Sequence, residues 1–153
     1  MMERHELTER LRDLFLSQRL AVLATQEGGQ PHLSLVAFAT TDDLASLIFA
    51  TSRATRKFAN ITRDSRVAML VDDRSNKETD FHGATAVTAL GRANEIRVPE
   101  RDELARHLIE KHPPLGEFVK SPTCALVKVT VEIYYVVSQF ENVTELIPPS
   151  EQR

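Results

Sequence analysis

Arg53, Arg56 and Lys57 crowd into one short segment and alternate with the hydroxyls of Thr51, Ser52 and Thr55. The spacing predicts a helix over about residues 53–63, with Phe58 and Ile61 facing inward and no acid before Asp64. A helix N-terminus behaves like roughly half a positive charge, so acids are favoured there and bases are not. The neighbouring helices follow that rule. Glu3, Glu6 and Glu9 come early in the first, and Glu100, Asp102 and Glu103 open the third, which closes on Lys111 and His112. The middle helix reverses it. A bound anion would turn each repulsion into attraction and would accept hydrogen bonds from free backbone N–H groups and from the three hydroxyls. Charge-assisted bonds from Arg56 and Lys57 would strengthen it. On local physics alone, a phosphate site and a merely solvated basic face are both open. No P-loop or dinucleotide fingerprint competes for the phosphate role.

Other residues of chemical interest are less organised. The five histidines are His5, His32, His82, His107 and His112, and none pair at the i, i+4 spacing that favours zinc. His107 and His112 fall near a helix C-terminus, where the dipole alone favours them. Asp72-Asp73 follows a strand and reads as a turn former rather than an acid–base pair. The one cysteine, Cys124, lies in an apolar strand with no metal or redox spacing around it, which suits a small buried hydrophobe.

The elements that must position these groups are legible from periodicity. Leu7, Leu11, Leu14 and Phe15 mark one face of a helix over about 4–17. Strands follow at 20–25, at 31–39 and at 47–50, the first two joined by Glu27-Gly28-Gly29-Gln30 and the last pair by Thr41-Asp42-Asp43. After the basic helix come a strand at 67–71, a polar loop over 72–80 and a long strand over about 82–96. Pro99 opens a third helix that ends at Pro113-Pro114. In the last strand, Ala125, Val127, Val129, Val131, Ile133, Tyr135 and Val137 are apolar at every second position, predicting one buried face. Connections between the early strands are too short for parallel crossovers. The expectation is a mainly β domain over 1–147, a small six-stranded antiparallel barrel with flanking helices, and a disordered tail over 148–153.

A chain of 153 residues with net charge −3 has no bulk attraction for nucleic acid or an acidic membrane. No apolar run approaches the ~18 residues that span a bilayer. The charged start, Met1-Met2-Glu3-Arg4-His5-Glu6, does not read as a signal peptide, so a cytoplasmic location is expected.

The ordered set Gly29, Pro31, His32, then Phe49, Ala50, Thr51, Arg56, Lys57, Asn60, Ile61, then Asp64, Arg66, Val67 resembles the pyridoxamine-phosphate-oxidase-like split β-barrel family. The resemblance covers about Leu20 to Leu90 and implies a homodimer with two FMN molecules at the subunit interface. By it, Thr51, Thr55, Arg56 and Lys57 would hold the ribityl phosphate, with Ser52 beside them. Leu33, Ser34, Leu35 and Val36 would offer backbone groups to the isoalloxazine ring. The loop Arg74-Ser75-Asn76-Lys77 would approach the flavin, from its own or from the partner subunit. The implied activity is hydride or electron transfer between NAD(P)H or a small molecule and the flavin, with no covalent nucleophile from the protein. Coenzyme F420 in the same groove, or a module that holds flavin or haem without turnover, are the alternatives; His32 or His82 could serve haem as an axial ligand. True pyridoxamine-phosphate oxidases carry an Arg-rich C-terminal motif with Trp. This chain has no Trp and ends differently, so oxidation of vitamin B6 is not expected.

Overall fold

A computed structural model describes residues 2–139 and 142–149; most of the expected tail, residues 150–153, lies outside the described residues. Helix α1 (Arg4–Ser17) buries Leu7, Leu11, Leu14 and Phe15, the four positions marked by its periodicity. Strands β1 (Leu20–Glu27) and β2 (Gln30–Thr40) form a hairpin through Gly28 and Gly29. Both glycines have positive φ, 56° and 86°, the pair that a two-residue turn of primed type demands. Then come β3 (Ser46–Ser52), α2 (Arg56–Arg63), β4 (Arg66–Asp72), the single turn α3 (Asp80–Gly83) and β5 (Thr85–Glu95). The chain continues through α4 (Glu100–Lys111), a 3-10 turn (Pro113–Leu115), α5 (Gly116–Lys120), β6 (Cys124–Ser138) and β7 (Asn142–Leu146).

The strand order β3-β2-β1-β4-β5-β6 closes on itself because β3 also pairs with the first half of β6, and β7 adds to the second half. All pairings are antiparallel. This is the expected six-stranded barrel with one extra strand. Its interior holds Leu23, Phe38, Leu47, Phe49, Met69, Val127 and Tyr134, capped at one end by Leu11 and Phe15 of α1. A second cluster lies outside the wall, where α4 and α5 cover Ile48 and Leu126 with Leu104, Leu108 and Val119. Strand β3 is therefore apolar on both faces.

Three sequence expectations change. The strand expected from His82 begins at Thr85, because residues 80–83 make a helical turn; the short β7 and α5 carry too few residues to show a period. The second helix begins at Arg56 rather than Arg53. The uniform alternation along β6 also fails: Leu90 pairs with Ile133 but Gly91 with Val131, which leaves Glu132 as an extra, unpaired residue. Such a bulge inverts the facing of everything after it. Val127, Val129 and Val131 point inward, then Tyr134 and Val136 do, and Ile133, Tyr135 and Val137 turn to the outer wall.

Candidate functional site

The turn between β3 and α2 is built by its own hydroxyls. Thr55 is the N-cap: its Oγ1 accepts from the Phe58 N–H at 3.3 Å and lies 2.9 Å from the Thr51 Oγ1. Ser52 Oγ accepts from the Ala54 N–H, and Ser52 O accepts from Thr55 Oγ1. The N–H groups of Arg56 and Lys57, the first two of the helix, find no acceptor among the described residues. Thr51, Ser52, Thr55, Arg56 and Lys57 are thus brought together as expected.

Arg53 is not part of that cluster. It lies in the turn before α2, pairs with Glu95 at 2.7 Å, and packs its guanidinium 5.8 Å from the Phe58 ring centre. The hydrogen bond from Arg53 holds the Glu95 carboxyl below the usual range. Arg56 reaches Glu27 only loosely, at 3.6 Å, and Arg63 makes the tighter bond to the same carboxylate. Lys57 has no ion-pair partner among the described residues. The acids missing from the helix sequence therefore come from β1 and β5, neither of which spacing could reveal.

Beside this cluster the barrel is split. Strands β2 and β3 pair only through Phe38–Thr40 and Leu47–Phe49. Two residues beyond the last pair, Val36 and Thr51 stand on the two lips of the gap. The Phe38 N–H bonds to Arg19 O on the β1 side. Antiparallel alternation then sends the N–H and C=O of Leu33 and Leu35 toward the open edge. Ser34 turns its side chain inward opposite the buried Leu23, and its Oγ is buried without a partner among the described residues. Beneath the helix, Asn60 Nδ2 donates to Thr25 Oγ1 in a buried contact that fixes α2 to β1. Asp64 accepts from Arg66 and Gln26, which holds its carboxyl well below the usual range.

Arg74, Ser75 and Asn76 lie away from the α2 cluster, although Arg74 lines a groove that also includes Val22 and Leu35. Strand β4 runs antiparallel to β1, so the loop after Asp72 sits at the Leu20 end, whereas α2 sits at the Glu27 end. Eight residues of β1 separate the two, roughly 20 Å. The loop is ordered internally. The Asp80 carboxylate accepts from the backbone N–H groups of Ser75, Asn76 and Lys77 and from the Ser75 hydroxyl. The Ser75 bonds hold its carboxyl below the ordinary value. Arg74 pairs with Asp72 at 2.9 Å. Asp80 escaped the sequence reading because its role depends on a turn that folds back over it.

A family-wide sequence pattern described as pyridoxamine 5'-phosphate oxidase matches residues 7–137. The chain belongs to this family. Pyridoxamine 5'-phosphate oxidase relatives also share the fold. A putative pyridoxamine 5'-phosphate oxidase from Listeria innocua aligns over 86% of this chain and 98% of its own, with TM-score 0.68 and 17% identity. An FAD-binding protein from Mesorhizobium loti aligns over 84% and 90%, with TM-score 0.69 and 19% identity. A haem-binding protein from Mycobacterium smegmatis reaches TM-score 0.81 at 14% identity over 96% of this chain, which spans 59% of that protein's length. No curated protein matches the chain by sequence. Among the described residues no helix is long and apolar enough to cross a membrane.

Proposed function

We propose that the protein binds FMN at the split between β2 and β3 and acts as an oxidoreductase on a small-molecule substrate. One observation carries the reading: at the lip of an open strand edge, Lys57 and two helix N–H groups, all without a partner among the described residues, lie beside a pair of threonine hydroxyls. In this reading Thr51, Ser52, Thr55, Arg56 and Lys57 hold the phosphate. Arg56 can leave its loose contact with Glu27, since its side chain is 66% exposed. The free backbone groups of Leu33 and Leu35 suit the polar edge of a planar heterocycle, and the orphaned Ser34 Oγ on the same strand would gain a partner. Flavin, when bound, supplies hydride and electron transfer; the polypeptide supplies position and a shielded wall.

A second copy of the chain completes the site in this proposal. Outward-facing Leu33 and Leu35 are 64% and 66% exposed, and Val143 on β7 is 60% exposed. With Val22, Leu70, Leu90 and Val137 they put apolar side chains on the outer face of six strands. A patch of that kind marks an interface. The 74–77 loop lies a barrel's length from α2, and Arg74 lines a groove with Val22 and Leu35 of its own chain, so in this reading the loop serves the ring end of the flavin rather than its phosphate.

The absorption spectrum of the purified protein tests the cofactor. Oxidised-flavin bands that bleach with NAD(P)H support an FMN reductase. Flavin bands that never bleach with any donor indicate a carrier. A Soret band, or tight binding of F420 in place of FMN, would overturn the FMN assignment.

A further inference from the structure

At the Thr40 end of β2, α1, α4 and the β2–β3 connection line a half-open cavity of about 360 Å3. That is at the lower end of the ~300–1,000 Å3 typical of small-molecule pockets. Phe15, Leu16, Ala39 and Leu44 form its apolar lining, and Lys111 and His107 project into it from one face of α4. These two are spaced i, i+4, so they lie one above the other on the helix. Lys111 is held by its surroundings: Nζ donates to Phe15 O at 2.6 Å and lies 3.8 Å from the centre of the Phe38 ring. No carboxylate pairs with it among the described residues. The charged groups around the cavity are Arg12 on α1, Asp42 in the connection and Glu110 on α4. Arg12 is bonded to Glu9 and to Asp42 O. Desolvation lowers the Lys111 amine to about 8, so a usable fraction is neutral near physiological pH.

We propose that this cavity is a second ligand site, where Lys111 condenses reversibly with a small, mainly apolar aldehyde. The Nζ lone pair forms a bond to the carbonyl carbon as the C=O π bond opens to a carbinolamine. Loss of the hydroxyl as water, with two protons drawn from the amine, leaves a C=N bond. Atoms balance as aldehyde plus amine giving imine plus water, and no oxidant or reductant takes part. Before condensation the neutral amine can keep one N–H for Phe15 O and still offer its lone pair to a carbonyl. His107 is the acid–base group placed to protonate the departing hydroxyl.

The test uses benzaldehyde as the probe at low molar excess, trapping with cyanoborohydride and mapping the benzylated peptides. Lys111 should be labelled at least tenfold faster than Lys57, Lys77, Lys120 or Lys128, and more slowly in His107→Gln. Leu16→Trp fills the cavity mouth from an exposed position while leaving Lys111 in place; it should abolish the preference with an unchanged circular dichroism spectrum. Lys111→Arg, which keeps the cation, should remove the product. Labelling that follows solvent exposure across the lysines, or a preference that survives Leu16→Trp, would overturn the proposal. Neither outcome depends on whether flavin is bound.

Discussion

At the scale of the residue, the decisive question is which cations are already satisfied. Arg53 has Glu95 and a ring face, whereas Lys57 has neither. Charge-assisted hydrogen bonds contribute about 1.5–3 kcal/mol each. Arg56→Ala with Lys57→Ala should therefore weaken FMN binding by about 100-fold or more, measured by quenching of flavin fluorescence on titration, while Arg53→Ala should change it little. Lys111 gives a separate, pH-dependent expectation. Its folded value of about 8 lies below the ordinary 10.5. Well below pH 8 both folded and unfolded chains hold the proton and the desolvation cost is present in full. Between about 8 and 10.5 the unfolded chain binds more protons, so the cost fades and stability rises with pH. Urea unfolding should show the wild type gaining on Lys111→Met across that window. Comparison with the variant cancels the opposite trend from Tyr134, whose buried phenol is pushed up and resists ionisation.

At the scale of the element, the caps and the bulge set the geometry. Thr55 starts α2 and also touches Thr51, so Thr55→Ala should cost about 1 kcal/mol in unfolding by denaturant and weaken phosphate binding with it. Gly91 sits at the register shift, where an added Cβ would collide with the Thr130 carbonyl, a backbone atom that cannot swing aside. Gly91→Ala should therefore destabilise by at least the ~1–3 kcal/mol of ordinary overpacking, seen as a lower denaturation midpoint. Most elements were legible because α1 and β6 carry long apolar repeats and α4 is bounded by Pro99 and Pro113-Pro114. The bulge was not, since the expected inner positions stay apolar through Val137 and its trace is only that Tyr134 and Val136 break the polar face of Lys128, Thr130 and Glu132. Nor was the true start of α2, because a cation in a preceding turn and a cation in a first helical turn look alike in sequence.

At the scale of the whole molecule, the apolar outer wall is the feature with most at stake. Leu35→Glu, or Leu33→Glu, places a charge in the middle of that wall without touching the barrel interior. Either should turn a dimer into a monomer in sedimentation and cause loss of flavin, while the circular dichroism spectrum stays that of the barrel. A monomer that still retains flavin fully would show that the site is complete within one chain.

The segment from Thr51 to Lys57 shows what one chain of residues can settle alone. Its charges sit against a helix dipole, and its hydroxyls and bases share one short stretch; local physics follows from neighbours in sequence, so an anion site was readable there. Glycines at the β1–β2 turn and the apolar spacing of α1 were readable for the same reason. Tertiary structure decided what depends on distant partners. It gave Arg53 to Glu95 and Asp80 to the 74–77 loop, opened β2 beyond Phe38, turned half of β6 outward, and set a desolvated Lys111 against Phe38. Each of these rests on groups remote along the chain, on a turn that must first fold, or on a register shift, and no local period records them.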